Sequence, residues 1–298
     1  MRNNPLVSVI MNCYNSDEFL KEAIESVIYQ TYQDLEIIFW DNRSTDNSAT
    51  IVNSYKDKRI KYFYAEEFTS LGKARNLAIA KSSGQWIAFL DCDDIWELEK
   101  LELSFEVLQK REDKENISLI YSKSLTIDRK GDILLKNSRA VSGQIHDVLL
   151  KDENFIVFSS IILKKDIFLE NGKIDESLNF CEDYDILLKI TKNYYGLGIN
   201  AYLTNYRIHG KNISLQKVYD NNIETVKLLE NYILKNKPSF NIRIHILINN
   251  SYRLGSAIIK LILNKEYLNS LTLVKTHKRY LLFFPFSVIY KKIRLLQW

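Results

Sequence analysis

Over its first ninety residues the chain alternates short apolar, β-branched runs with segments of helical spacing, and few folds accept that pattern. Leu6 to Met11 is a nearly continuous apolar run, as expected of a strand buried on both faces. Asp17 to Gln30 follows with helical spacing through Phe19, Leu20, Ala23, Ile24, Val27 and Ile28, and with acids in its first turn. Leu35 to Trp40, Arg59 to Tyr64 and Trp86 to Leu90 read as further strands. Leu71 to Lys81 reads as a helix capped by Ser70, with Gly84 beyond its end. Strand and helix in such alternation predict an α/β fold, a mostly parallel sheet with helices on both faces. Ligands of these sheets sit outside the carboxyl ends of the strands. Polar clusters stand at that place three times: Asn12 to Asn15, Asp41 to Asp46, and Asp91 to Asp94.

Beyond Leu101 to Lys110, a helix by its spacing, strands are expected at Ile117 to Tyr121, Phe155 to Leu163 and around Asn200 to Ile208. A helix is expected at Asp183 to Asn193. From Gln216 the text becomes a Leu/Ile/Lys/Asn-rich helical pattern broken near Pro238 and Pro285. The expected organisation is a domain over residues 1–215 and a helical region over 216–298, with a soft boundary near Leu215.

The net charge is +4, yet Lys275, Lys278, Arg279, Lys291, Lys292 and Arg294 stand without an acid between Tyr267 and Trp298, so the remainder sums to −2. A chain-wide attraction to nucleic acid is therefore not expected. A local basic, apolar tail is, and Tyr280 to Tyr290 between its basic clusters suits an interfacial segment on an anionic leaflet. A packed helical appendage with a solvated basic edge, or a dimer contact, answers the same pattern. No run is long enough to span a bilayer. The polar start shows no leader, and Cys13, Cys92 and Cys181, odd in number and without CxxC spacing, point to free thiols in a reducing compartment.

Asp91-Cys92-Asp93-Asp94 closes the fourth strand, and alternation sends Asp91 and Asp93 to one side. Crowded carboxylates repel unless one is protonated or a cation sits between them. A hard divalent ion completed by phosphate and water resolves the conflict. A turn capping the next helix, with Asp94 as cap, is the other reading.

Val7 to Asn15, Gln30-Thr31-Tyr32, Leu35 to Ile38, Asp41 to Asp46, Leu71 to Asn76 and Phe89 to Asp94 together resemble, in order and spacing, the family 2 glycosyltransferases of GT-A fold. The resemblance covers roughly residues 5 to 210. It implies inverting, Mn²⁺- or Mg²⁺-dependent transfer of a sugar from a nucleotide-diphosphate donor, with a UDP-sugar the expected donor. It further implies that Asn12 and Tyr14 line the nucleoside pocket, that Asp41 accepts from base or ribose, and that Arg75 contacts the diphosphate. Asp91 and Asp93 organise the metal, His209 of Tyr206-Arg207-Ile208-His209 approaches it, and Asp183 is the base, with Glu182 its rival. Asn42 and Arg43 depart from the family's usual Asp and Gly. Trp96 suits either an acceptor floor or a helix anchor. The expected setting is cytoplasmic, peripheral on the inner face of the membrane, adding sugar to a surface glycan or lipid-linked oligosaccharide. A nucleotidyltransferase and a non-catalytic nucleotide-sugar-binding module are the alternatives, though Met11 to Asn15 lacks the glycines of a phosphate loop.

Overall fold

In the computed structural model, residues 6–212, 216–263 and 267–295 are described, and the chain divides into two compact units. The first holds residues up to 146 together with 154–210; the second holds 147–153 and the residues from 211 onward. The boundary expected near Leu215 lies outside the described residues.

The first unit is built on a nine-stranded sheet. Its parallel half consists of β1 (Val7–Cys13), β2 (Leu35–Asp41), β3 (Ile60–Tyr64) and β4 (Trp86–Phe89), in the order β3-β2-β1-β4. The β-branched runs of β1, β2 and β4 are buried on both faces, which is why they read as unbroken apolar text. Helices α1 (Asp17–Ile28), α2 (Ser48–Ser54) and α3 (Leu71–Ala80) carry the crossovers. Ser70 caps α3 as its sequence predicts, accepting from the Lys73 N–H.

The other half of the sheet is mixed. Past β4 run β8 (Ile162–Lys164), β6 (Ile117–Ile127), β9 (Tyr195–Arg207) and the two-residue β5 (Ile95–Trp96), with β7 (Ile133–Asn137) hairpinned onto β6. β8 is antiparallel to both β4 and β6, β6 is parallel to β9, and β5 is antiparallel to β9. The strand expected over Phe155 to Leu163 is instead a 3₁₀ turn, Phe158–Ser160, followed by the short β8. Most of its apolar residues are buried, so composition alone could not separate turn from strand. Helices α4 (Lys100–Gln109), α6 (Lys165–Glu170) and α7 (Glu182–Thr191) complete the α/β layers, whereas α5 (His146–Asp152) falls, but for His146, in the second unit. All three cysteines are buried free thiols.

The second unit gathers α8 (Val218–Asn236), α9 (Phe240–Leu263), α10 (Tyr267–Leu281) and α11 (Phe284–Leu295). Val226, Leu254, Ala257, Ile258, Leu261, Leu273 and Tyr280 form its core. Gly255 admits the Phe284 ring, since a Cβ there would lie 2.0 Å from a ring carbon. Among the described residues no helix is long and apolar enough to cross a membrane.

Candidate active site

Parallel register brings three strand ends level, pairing Cys13 with Asp41 and Asp41 with Tyr64. The loops that leave this edge carry most of the residues singled out in the sequence. Asp41 is fully buried, and its carboxylate accepts from the Ser44 N–H at 2.7 Å and the Tyr62 hydroxyl at 2.8 Å. Next to it, Asn42 is held by Thr69, donating to its carbonyl at 2.8 Å. The Asn12 side-chain amide is buried and has no hydrogen-bond partner among the described residues. Tyr14 is half exposed and packs on the exposed Phe68 with ring centroids 4.6 Å apart. Arg43, at a left-handed φ of 74°, lies over the Tyr64 ring.

The acid turn stands at the end of β4, closed by a bond from the Asp94 N–H to the Asp91 carbonyl. Its three carboxylates have separate fates. Asp94 is fully buried and caps no helix; its oxygens accept from the Ser159 hydroxyl at 2.5 Å and the Arg207 N–H at 2.9 Å. Asp93 meets His209, with Nε2 2.8 Å from Oδ2. Asp91 is the most open, at 41% exposure, and accepts from Arg75 at 3.2 Å. Burial and the charges of its neighbours push the Asp94 carboxyl well up, and burial with the Asp91 charge raises Asp93 despite the His209 bond.

His209 reaches the turn because β5, which leaves the turn directly, pairs antiparallel with β9, setting Ile95 opposite Asn205. Two residues give no periodicity, so this pairing had no signal in the sequence. Arg207, buried beside it, donates to the Asp93 carbonyl at 3.1 Å and to Glu22 at 2.6 Å.

Arg75 is 5% exposed and ties two elements together, donating to Glu182 at 2.6 Å and to Asp91 at 3.2 Å, with its guanidinium 4.2 Å from the Phe158 ring centroid. The sequence suggested the cation but not its carboxylate partners, which lie 107 and 16 positions away. Lys73, on the same helix, pairs with Glu67 at the surface. Asp183 opens α7 next to Glu182 and accepts from the Asn154 amide at 3.1 Å and the Tyr184 N–H at 2.6 Å. Burial, then the Glu182 charge, push its carboxyl up to about 7, against the pull of Arg75. Trp96 is buried and donates to the Ser159 carbonyl at 2.6 Å, so it anchors the turn and does not floor a pocket.

Among the described residues no group of three His, Cys, Asp or Glu side chains is placed to hold a metal ion. Asp93, paired with His209, and Asp91 in the same turn are carboxylate and imidazole donors of the residue types Mn²⁺ and Mg²⁺ accept where diphosphate oxygens and water supply most positions. Two neighbouring carboxylates, with Asp93 raised by burial and then by the Asp91 charge, fit a site that a cation relieves.

Known proteins resemble this chain in sequence and in fold. Residues 8–172 match the family model described as glycosyl transferase family 2. An uncharacterized glycosyltransferase of Methanocaldococcus jannaschii is 34% identical over 245 residues, covering 80% of this chain and 82% of that protein. The glucosyltransferase WfgD of Escherichia coli, named as acting from UDP-Glc on α-D-GlcNAc-diphosphoundecaprenol, is 40% identical over 116 residues, covering 39% of this chain and 44% of WfgD. Against a glycosyltransferase of Rickettsia typhi the chain spans less than two thirds of the relative's length, 59%. Among solved structures, S. aureus TarS in complex with UDP-GlcNAc superposes with a TM-score of 0.64 at 19% identity, covering 84% of this chain and 72% of TarS. A mannosyltransferase of Pyrobaculum calidifontis, in complex with GDP-Man and Mn²⁺, gives 0.64 at 14% identity, covering 96% and 85%. These two likenesses establish the GT-A fold. With its family model matched over more than half its length, the chain belongs to glycosyl transferase family 2.

Proposed function

We propose that the protein transfers a single sugar, with inversion, from a UDP-sugar to a glycan acceptor, and that the acceptor is lipid-linked. The observation that carries this reading is the Arg75 bridge, which joins the metal-site carboxylate Asp91 to the helix that bears Asp183. The donor reading is supported by the UDP-GlcNAc complex of TarS and the name of WfgD, and the lipid-linked acceptor by that name too.

Asn12 offers an unspent amide to the nucleoside and Tyr14, with Phe68, an aromatic surface for the base. Asp41 accepts from base or ribose, its carboxylate held in place by Ser44 and Tyr62. Arg75 pins Asp91 and Glu182 and turns its remaining donors to the diphosphate. Asp91, Asp93 and His209 would hold Mn²⁺ or Mg²⁺, which when bound neutralises charge on the departing diphosphate. Asp183 takes the acceptor's hydroxyl proton as that oxygen forms its bond to the anomeric carbon and the bond to the diphosphate breaks. One carboxylate suffices, because a single in-line displacement inverts the centre.

The setting proposed is peripheral, on the inner face of the cell membrane. In the second unit Leu282 and Phe286 are strongly exposed, with Lys275 and Lys278 exposed near them in sequence. The side chains of Arg279, Ile289, Lys291, Lys292 and Arg294 lie outside those described.

The test is a screen of UDP- and GDP-sugars with Mn²⁺, reading the nucleotide product. Nucleoside diphosphate means glycosyl transfer, pyrophosphate released in a parallel incubation of UTP or GTP with a sugar 1-phosphate means nucleotidyl transfer, and binding without release means a non-catalytic module. Asp93→Asn is expected to abolish metal-dependent turnover with the fold retained; a fully active variant overturns the assignment.

A further inference from the structure

The Phe158–Ser160 turn holds none of the residues singled out in the sequence, yet it touches Asp91, Asp94 and Arg75. Ser159 is completely buried. Its hydroxyl accepts from the Asp91 N–H at 3.1 Å and donates to Asp94 Oδ2 at 2.5 Å, so one oxygen spans the first and last residues of the acid turn. Its carbonyl accepts from the Trp96 indole at 2.6 Å, just past that turn. On one side of it the Phe158 ring lies under Arg75; on the other the Ser160 carbonyl accepts from the buried Lys100 ammonium at 2.9 Å.

We propose that Ser159 is a positioning residue for metal binding, its hydroxyl setting the spacing at which Asp91 and Asp93 present their carboxylates. This rests on the reading of Asp91, Asp93 and His209 as the metal site. A hydroxyl gives one bond and receives another at a fixed angle, so it can join a backbone donor to a carboxylate without slack. The far side of Asp94 is fixed as well, by the Arg207 N–H, and the Arg207 side chain holds the Asp93 carbonyl. Asp93 therefore sits on a backbone clamped at both ends, and removing the Ser159 hydroxyl frees one clamp. The bonds unmet by alanine are those of Asp91 and Asp94, both in the turn itself. Partners of this outer kind change metal affinity by about 10–100-fold when lost.

The experiment titrates Mn²⁺ against the protein with UDP or GDP present, following the free-ion signal by electron paramagnetic resonance, alongside thermal unfolding of the same samples. Ser159→Ala is expected to raise the Mn²⁺ midpoint by at least roughly tenfold. Ser159→Thr, which keeps the hydroxyl, is expected to recover most of that loss. Ser160→Ala removes a hydroxyl that donates within the same turn, to the Val157 carbonyl at 2.6 Å, and is expected to leave the midpoint unchanged. If Ser159→Ala does not fold, Ser159→Cys keeps the volume while weakening both bonds and is held to the same criterion. A Ser159 variant that lowers the unfolding temperature yet keeps the parent midpoint overturns the inference alone. A parent protein that takes up no Mn²⁺ with either nucleotide overturns the site reading and this inference together.

Discussion

A carboxyl group at about 7 is half ionised at neutral pH, and Asp183 owes that value to burial beside Glu182. Only its ionised form can accept the acceptor's proton. Activity is therefore expected to fall as pH drops below about 7, tenfold per unit on kcat/KM, with a plateau above it. A pH profile checks the limb, and a rate already flat at pH 5 counts against Asp183 as the base. Asp183→Asn is expected to lower kcat by roughly 10²–10⁴-fold while calorimetric binding of nucleoside diphosphate with Mn²⁺ stays at the parent value. Asp93, His209 and Asp183 could be singled out from motif residues alone. Ser159, Phe158 and Asn154 could not, because a serine and a phenylalanine in an apolar stretch, or an asparagine closing a charged run, look like any others until the chain is folded.

At the scale of elements, the two sheet halves differ in how plainly they were written. β1, β2 and β4 are buried on both faces, so each appears as an apolar run. β5 and β8 have two and three residues, and β7 has four exposed positions in five, so none carries a readable period. The ends of β1 and β2 away from the site are locked by a carboxylate that was not singled out. Glu36 accepts from Ser8 at 2.5 Å, from the Ser83 N–H at 2.6 Å and from Lys61 at 2.5 Å. Burial alone would raise it, but those bonds hold it down to about 2. Its contribution is present above the ordinary value of 4.5 and lost as pH falls from there towards 2. Glu36→Gln is expected to lower the unfolding temperature at neutral pH and to flatten its decline across that acid window, read by thermal melts at stepped pH. Gly84 donates to the same Ser8 hydroxyl, and a Cβ there would lie 2.7 Å from the Leu6 carbonyl and the Ser8 nitrogen. Gly84→Ala is accordingly expected to cost about 1–3 kcal/mol in chemical unfolding.

For the molecule as a whole, the proposed peripheral setting makes a direct prediction. The protein is expected to sediment with vesicles containing anionic lipid, less with neutral ones, and less at high salt. A Leu282→Ser, Phe286→Ser double variant is expected to weaken that partition by at least about tenfold, since each apolar side chain buried contributes about 1.5–3 kcal/mol. Equal partition of parent and variant would remove these side chains from the contact. The apolar stretch Tyr280 to Tyr290 held both fates in one line of text: Tyr280 is in the helical core and Leu282 in solvent. By itself the sequence determined the parallel half of the sheet and the acids, amides and cations at its strand ends, because those depend on local burial and on residue chemistry at a known edge. The tertiary structure alone decided which carboxylate Arg75 would hold, that His209 would reach Asp93 through a two-residue strand, and that Ser159 would close the acid turn. Those contacts join residues 16 to 116 positions apart. Nothing in local propensity encodes such distances; they follow from how the sheet closes around its core.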